Sequence, residues 1–335
     1  MKSPFQALRL HALDQAPASI ELLHSDQIGQ KPGEPGQVVI RAEYSSLNYK
    51  DALAVTGKAP ILKKYPLIPG IDVAGEVIES HSSEFQLGQK VLITGCGLGE
   101  DQDGGFAEIV RAPESSVVAL PQTLSSQEAM ILGTAGFTAA LSLYRMEENG
   151  QTPEKGPIVV TGASGGVGSF AVSILAQRGY EVIAVSGKAD QRQNLLNLGA
   201  AEVLSPNALN FGHRPLEKAL YAGAIDNVGG ELLSGLSRHI GLWGNIACVG
   251  LAGGSDLNMT VMPFILRGVS LLGISSNNTP RPLRLQLWQL LAQQWKPKNL
   301  ESFVEETLSL EDIPQASQNM LLRKTALRRL VKIAQ

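Results

Sequence analysis

The pattern of apolar and polar positions changes near residue 124 and again near residue 276. In the first third, short β-branched and apolar runs alternate with turns rich in glycine and proline. Such spacing is typical of the strands of a barrel or sandwich. The runs that predict strands lie at 37–43, 72–78, 90–94 and 117–120. Ser125 then stands three residues before Glu128 in a capping-box pattern, which predicts a helix from there to about Glu148.

Short apolar strands and helical segments alternate between residues 157 and 274. Strands are predicted at 157–161, 181–186, 202–204, 224–228, 245–249 and 269–274, and helices at 167–179 and 191–198. This alternation predicts an α/β region built on a doubly wound parallel sheet. The tail predicts helices at 282–295 and 312–322 and strands at 307–310 and 329–333. It is too short for a third domain, so we expect it to complete the first one.

The length of 335 residues fits two domains, which we place at 1–123 with 277–335 and at 124–276. The net charge of −3 gives no basic surplus for nucleic acid or an anionic membrane. The two cysteines are far apart in sequence, which favours a reducing compartment. No stretch resembles the apolar core of a signal peptide, and none reaches the run of about 18 apolar residues that a membrane helix needs. We therefore expect a cytoplasmic protein.

The sharpest motif is a glycine-rich turn, Val159-Val160-Thr161-Gly162-Ala163-Ser164-Gly165-Gly166-Val167-Gly168, which follows a strand and opens a helix. Gly165 permits a close approach to a pyrophosphate, and Gly168 lets the helix pack against the strand. Free N–H groups at the start of the helix stabilise the anion. Ala163 replaces the usual first glycine, so the dinucleotide fingerprint is a variant. We predict dinucleotide binding here, against the alternative of a purely structural turn.

The end of the second parallel strand favours NADPH over NADH. An acidic residue there would bind the ribose 2′-hydroxyl and repel a 2′-phosphate. The strand ends instead at Ser186-Gly187-Lys188, with Arg192 one turn later. Ser186 can donate to a phosphate and Lys188 supplies positive charge. Alternatively, Lys188 and Arg192 are solvated charges at the start of a helix.

Three motifs resemble the medium-chain dehydrogenase/reductase superfamily, and they stand at 69–77, 104–108 and 133–140. The resemblance implies a GroES-like β-barrel domain from both chain ends around a central Rossmann domain. Zinc members bind the metal through histidine and cysteine, but here the histidine position is Ile71 and the cysteine region is 44–48. Since catalytic zinc needs about three protein ligands, we expect no metal. Activated acceptors, such as quinones, enones and enoyl thioesters, then become the expected substrates.

Four further segments resemble one zinc-free branch, the acrylyl-CoA reductases, which are also described as quinone oxidoreductases. They are 45–58, 222–229, 250–254 and 261–267. The resemblance implies NADPH-dependent reduction of acryloyl-CoA to propionyl-CoA by a homodimer. The edge strand at 269–274 is the candidate dimer interface. An NADPH quinone oxidoreductase or alkenal reductase is the main alternative, and a non-catalytic NADPH-binding sensor is another.

The resemblance also assigns cofactor contacts. It places Tyr49 beside the nicotinamide and assigns the pyrophosphate to Ser164, Gly165, Gly166 and Val167. The 2′-phosphate is assigned to Ser186, Gly187 and Lys188. The nicotinamide half of the cofactor is assigned to Leu251, Ile265 and Ser276. Three positions depart from the branch. Glu202 stands at a position that is often a basic residue in contact with the cofactor. Ser275 stands where aspartate is common, and Leu327 stands where glycine usually precedes Arg328.

Asn48 and Tyr49 are the candidate catalytic residues. Either could orient the substrate or donate to an enolate oxygen, and the Tyr49 hydroxyl is a candidate proton donor. Alternatively, Tyr49 only stacks on the nicotinamide. We expect Lys50 and Asp51 to form a local ion pair with a structural role.

A CoA substrate carries several phosphates, so the sequence should supply a basic rim. The candidate residues for this rim are Lys58, Lys63, Lys64, Arg281 and Arg284. Cys96 has no evident base to activate it, and we expect it to take no part in the chemistry.

Overall fold

The computed structural model describes residues 4–29 and 32–333. Its strands are β1 (Phe5–Arg9), β2 (Ser19–Leu23), β3 (Gln37–Leu47), β4 (Asp72–Ser80), β5 (Lys90–Thr94), β6 (Ile109–Pro113), β7 (Val118–Ala119), β8 (Ile158–Thr161), β9 (Val182–Val185), β10 (Glu202–Leu204), β11 (Tyr221–Asp226), β12 (Ile240–Cys248), β13 (Ser270–Gly273), β14 (Val304–Leu308) and β15 (Arg328–Lys332). Its α-helices are α1 (Tyr49–Val55), α2 (Ser126–Glu148), α3 (Gly166–Gln177), α4 (Arg192–Asn197), α5 (Gly230–Ser237), α6 (Met262–Arg267), α7 (Arg281–Ala292) and α8 (Ile313–Leu321).

The chain divides into two units. Unit 1 takes the chain up to Thr134, then Asn277–Ala292 and the chain from Asn299, while unit 2 takes Ala135–Ser276 and Gln293–Lys298. Residues 124–134 therefore belong to unit 1, whereas the sequence places them in the second domain. The reason lies in α2, which breaks at Gly133 with φ 49° and ψ −156°. At this break the Thr134 N–H donates to the Asp72 carboxylate of unit 1 at 2.8 Å.

Unit 1 is built on a mostly antiparallel sheet of seven strands. Its order is β14-β15-β3-β4-β5-β7, with β6 paired to β3. The last strand, β15, runs antiparallel to β3, and Leu330 pairs with Ser46. Buried side chains such as Val39, Phe106 and Val331 share one apolar core. The end of β3, from which the candidate catalytic residues follow, is thus held on one side by the tail of the chain.

Unit 2 contains a six-stranded sheet in the order β10-β9-β8-β11-β12-β13, and every pairing in it is parallel. Parallel strands covered on both faces are continuous apolar runs, and 158–160 and 182–185 are fully buried. The carboxyl ends of these strands lie along one edge, which is where open α/β sheets bind ligands. This sheet confirms the predicted doubly wound α/β region.

Most predicted elements are present, with bounds shifted by a few residues. The capping box at Ser125 forms, since the Ser125 N–H donates to Glu128 at 2.9 Å and the Glu128 N–H donates to Ser125 Oγ at 3.1 Å. The sequence missed β1, β2, β6, α1, α5 and α6. The three helices have only six to eight residues, too few to show a clear helical period. Within the described residues, no helix has the length and apolar character to cross a membrane.

Candidate active site

A buried polar cluster holds the turn between β3 and α1 in unit 1. Asn48 is the N-cap of α1, and its backbone N–H donates to Asp51 Oδ2 at 2.9 Å. The Asn48 side-chain amide donates to the same oxygen at 3.1 Å. Asp51 Oδ1 accepts the Ile71 N–H at 2.9 Å. This carboxylate therefore fixes the start of α1 and ties it to the segment before β4.

Asp72, the first residue of β4, is the centre of the same cluster. Its carboxylate accepts the hydroxyls of Ser46 and Thr134, each at 2.6 Å, and the Asn48 amide at 2.9 Å. The Arg328 guanidinium lies 3.9 Å from Asp72 Oδ2 and donates to Asn48 Oδ1 at 3.0 Å. Since Arg328 belongs to β15, residues from both ends of the chain meet here.

Two carboxyl groups and one guanidinium are buried together in this cluster. Burial, together with the charge of Asp72, raises the pKa of Asp51 from 3.8 to about 7. Burial also lowers the pKa of Arg328 from its usual high value, while the charges of Asp72 and Asp51 oppose that change. Asp51 is therefore a group whose protonation changes close to neutral pH.

Tyr49 is the first residue of α1 and is 44% exposed, directly beside the buried Asn48. The Asn48 amide is engaged by Asp51, Asp72 and Arg328. These bonds suit Asn48 to holding the start of α1. Of the two candidate catalytic residues, Tyr49 is the more accessible donor. The catalytic roles of both residues stay predictions.

Lys50 and Asp51 do not form the predicted ion pair, and that expectation was wrong. Lys50 Nζ bonds Glu100 Oε1 at 2.9 Å. Asp51 points into the buried cluster instead. Because successive residues of a helix face different directions, neighbours in sequence make poor partners there.

The predicted basic rim is only partly present. Arg284 is 1% exposed, and its guanidinium donates to the Thr94 carbonyl at 2.6 Å and the Asn277 carbonyl at 3.1 Å. It fastens α7 to β5 and is not a surface cation, which corrects that prediction. Arg281 is also engaged, since it pairs with Glu84 at 2.7 Å. The three candidate lysines, Lys58, Lys63 and Lys64, are exposed in unit 1.

The glycine-rich turn of unit 2 has the features that a pyrophosphate needs. α3 has twelve residues, its N-cap is Gly165, and no described side chain caps it. A Cβ on Gly168 would lie 2.3 Å from the Gly162 carbonyl oxygen, so the turn and helix pack as closely as glycine allows. The first-turn N–H groups have no partner within an α-helix. This end of α3 therefore fits an anion.

The predicted 2′-phosphate residues join this turn. Ser186 Oγ donates to Ser164 Oγ at 2.9 Å, and the Lys188 N–H donates to Ser186 Oγ at 3.1 Å. At Gly187 a Cβ would meet nothing within 4 Å. The ends of β8 and β9 are thereby linked beside open space. The structure thus brings the pyrophosphate and 2′-phosphate residues together, which fits a phosphorylated dinucleotide.

The residues predicted to line the nicotinamide half are in unit 2, at and beyond the end of β12. Leu251 is 62% exposed and follows β12. Ile265 is 71% exposed on α6, and Ser276 is the last residue before the chain returns to unit 1. Their contact with a nicotinamide stays a prediction.

Two departures from the branch now have a structural setting. Glu202 pairs with Ile183, two positions before Leu204 pairs with Val185. Its charge adds to the effect of burial in raising the pKa of Tyr221, at the start of β11. Glu202 is thus at the amino end of the short strand β10, two positions before the carboxyl edge of the sheet. Leu327 adopts φ 50°, a left-handed conformation that glycine accepts more easily.

Sequence reasoning missed Asp72, Thr134 and Arg328 as members of the polar cluster. All three stand in motifs that carried the family resemblance or its departures, so a signal was present. Periodicity and composition do not reveal that they meet.

Within the described ranges, no group of three or more His, Cys, Asp or Glu side chains could hold a metal ion. Ile71, at the histidine position, contributes its backbone N–H to Asp51.

Comparison with known proteins identifies relatives over nearly the whole chain. Residues 34–122 match the alcohol dehydrogenase GroES-like domain and residues 166–293 the zinc-binding dehydrogenase family. The acrylyl-CoA reductase AcuI of Ruegeria pomeroyi is 41% identical over 287 residues, which are 85% of this chain and 87% of that protein.

Two crystal structures give similar results. YhdH of Escherichia coli with bound NADPH is 44% identical with a TM-score of 0.92, and the match covers 98% of this chain and 99% of that one. The Bacillus subtilis protein YhfP with NAD bound is 41% identical with a TM-score of 0.94, covering 99% and 100%.

Proposed function

This chain belongs to the medium-chain dehydrogenase/reductase superfamily, and we propose that within it the chain is an NADPH-dependent reductase of an activated C=C bond. Acryloyl-CoA, reduced to propionyl-CoA, is the substrate that we infer. The observation that carries this proposal is the linked arrangement of Ser164, Ser186 and Lys188 beside the uncapped start of α3. The similarity to an acrylyl-CoA reductase over 85% of this chain supports the choice of substrate.

The residues of this chain divide the work of the reaction. Bound NADPH would supply a hydride to the β-carbon of the acceptor. The start of α3 would hold the pyrophosphate, and Ser186 with Lys188 would hold the 2′-phosphate. The Tyr49 hydroxyl would donate to the enolate oxygen that develops on the thioester. The buried cluster below it would keep Tyr49 in place, so that the donor needs no reorganisation.

Cofactor choice is tested by the dissociation constants of NADPH and NADH, measured from nicotinamide fluorescence. The two solved relatives contain NADPH in one case and NAD in the other, so the test is informative. We expect the protein to bind NADPH at least tenfold more tightly, about 1.4 kcal/mol. Lys188→Ala should weaken NADPH and leave NADH unchanged. Lys155→Ala, in the same unit, serves as the control. Equal binding of the two cofactors would contradict the assignment.

The substrate is tested by NADPH oxidation with acryloyl-CoA, crotonyl-CoA, acrolein and a 1,4-quinone. We expect kcat/KM for acryloyl-CoA to exceed the others at least tenfold, about 1.4 kcal/mol of discrimination. Faster turnover of the quinone or the free aldehyde would show a quinone oxidoreductase or alkenal reductase instead. NADPH binding without oxidation by any acceptor would indicate a sensor.

We also propose that the protein is a homodimer that pairs through β13. This strand is at the edge of the unit 2 sheet, and two exposed apolar side chains stand shortly before it in the chain, at the start of α6 and within it, namely Val261 and Leu266. Exposed edges and apolar patches of this kind favour association. Light scattering of the wild type and of Leu266→Glu tests this. A dimer that becomes a monomer in the variant supports the proposal, and a monomeric wild type refutes it.

A further inference from the structure

We propose that Asp226 is a positioning residue for the dinucleotide, because its carboxylate ties together two turns at the carboxyl edge of the unit 2 sheet. The inference rests on the proposed function, since it concerns how that site holds its cofactor. The sequence pointed to this residue only as a member of segment 222–229, which carries the resemblance to the branch, and gave it no role.

The environment of Asp226 is unusual for a carboxylate. The residue is the last of β11, lies between β8 and β12, and is fully buried. Oδ1 accepts the Thr161 hydroxyl and Oδ2 accepts the Gly229 N–H, each at 2.7 Å. Burial raises its pKa, and only hydrogen bonds from Thr161, Gly229 and Val228 oppose that change. A buried carboxyl costs free energy unless such bonds are kept, so the two turns that supply them are held in place.

The first of these turns is the pyrophosphate turn. Thr161 ends β8, and its hydroxyl also accepts the Asn227 N–H at 2.9 Å. Asn227 returns a bond from its side-chain amide to the Thr161 carbonyl at 2.8 Å. Gly162 follows, and a Cβ there would lie 3.4 Å from side-chain atoms of both Asn227 and Val228. The direction in which the glycine-rich turn leaves β8 is therefore set by the residues around Asp226.

The second turn runs from Asn227 to Gly230 and packs on the turn after β12. The Gly253 N–H donates to the Val228 carbonyl at 2.7 Å. A Cβ on Gly229 would come within 2.5 Å of the Gly254 carbonyl oxygen, so the two turns are in close backbone contact. The turn after β12 contains Leu251, which is predicted to line the nicotinamide half. Asp226 thus connects the predicted sites of the pyrophosphate and of the nicotinamide.

A role in fold stability alone would give a different result from a positioning role. If Asp226 only stabilised the sheet, its loss would lower the melting temperature and leave the folded protein's affinity for dinucleotide unchanged. If it positions the turns, affinity falls in the protein that remains folded. The decisive readout is therefore the NADPH dissociation constant, measured by fluorescence without any substrate.

The experiment compares four variants of the full-length protein. Asp226→Asn keeps the shape but replaces one carboxylate oxygen by an NH₂ group, so only one of the Thr161 hydroxyl and the Gly229 N–H keeps its acceptor. Thr161→Val removes the bridging hydroxyl, and Thr161→Ser restores it. Asn245→Ala is the matched control, because Asn245 is equally buried in the adjacent strand and bonds only Asn149 and Gln151 among the side chains described. It should destabilise the protein without moving either turn.

We expect Asp226→Asn and Thr161→Val to raise the NADPH dissociation constant at least fivefold. Thr161→Ser and Asn245→Ala should stay within twofold of the wild type. If Asp226→Asn fails to fold, Thr161→Val decides alone. A rise below fivefold in every folded variant of the network overturns the positioning role, while wild-type NADPH binding still supports the proposed function. No binding of NADPH by the wild type overturns both.

Discussion

Leu327 shows how one residue can carry a backbone cost. It adopts φ 50° directly before Arg328, which is buried in the polar cluster. A left-handed conformation costs an L-residue roughly 1–2 kcal/mol, and glycine avoids that cost. The branch that this chain resembles usually has glycine here. The strain is tolerated because the bonds of Arg328 to Asn48 and Ile131 fix the segment.

Leu327→Gly should therefore raise the free energy of unfolding by at most about 1 kcal/mol, because lost side-chain burial and the greater chain entropy of the unfolded state offset part of the relieved strain. Urea denaturation measures the change. Leu322→Gly is the control, because Leu322 has φ −78° and should lose stability by a few tenths to 1 kcal/mol. A Leu327→Gly protein less stable than the wild type would show that the side chain matters more than the strain.

Asp51 predicts a dependence of stability on pH. Its pKa is about 7 in the folded protein and 3.8 without the fold. Between these values the folded state binds more protons, so the contribution of Asp51 to stability is full below about pH 4. It is lost as the pH rises towards 7, by at most about 1.4 kcal/mol per pH unit.

The measurement is the free energy of unfolding of the wild type and of Asp51→Asn between pH 4 and 8. The wild type should lose stability relative to the variant as pH rises through this window. Asp256→Asn, at an exposed carboxyl of unit 2, should follow the wild-type profile. Parallel profiles for the wild type and Asp51→Asn would contradict the elevated pKa.

At the scale of elements, the break in α2 determines how the polar cluster forms. A Cβ on Gly133 would lie 2.6 Å from Asp72 Oδ2 and 2.8 Å from both Ser46 Oγ and Arg328 Nη2. The conformation itself, with positive φ and ψ near −156°, is one that only glycine adopts readily. Helix α2 is thus interrupted where its backbone must come close to the cluster.

Gly133→Ala should destabilise the protein by more than 2 kcal/mol and lower kcat, since it adds strain and displaces the support of Tyr49. Gly88→Ala separates the two effects, because Gly88 also has positive φ (79°) but has no atom within 4 Å of its Cβ position. Thermal unfolding and NADPH oxidation are measured for both. Equal losses in the two variants would show that the cluster is not disturbed.

Sequence patterns predicted most elements of this protein but few of its tertiary contacts. The apolar runs of β8 and β9 and the capping box of α2 are local, and short-range rules find them. The same rules missed α1, since seven residues do not show a helical period. They also placed Arg284 on the surface, because a charged residue is almost never fully buried without many partners. One of its partners, Thr94, is 190 residues away in sequence, and the other, Asn277, is in the segment just before α7.

At the scale of the whole molecule, the family resemblance predicted the fold class, and individual motifs predicted where the cofactor phosphates bind. The pyrophosphate and 2′-phosphate residues come together because parallel strands place their carboxyl ends at one edge. The Asn48 cluster could not be predicted in this way, since Asp72, Thr134 and Arg328 come from three distant segments.

The pairing of β15 with β3 has a consequence for how the protein is made. Unit 2 is almost continuous in sequence, so a ribosome delivers nearly all of it before residue 328 emerges. Domains generally fold as units as they leave the ribosome. The nucleotide-binding unit can therefore fold first, while the segment that carries Tyr49 waits for Arg328, synthesised nearly three hundred residues later. A nascent chain that stalls before that point would hold a folded unit 2, while the segment of the predicted catalytic residues would still lack its partner Arg328.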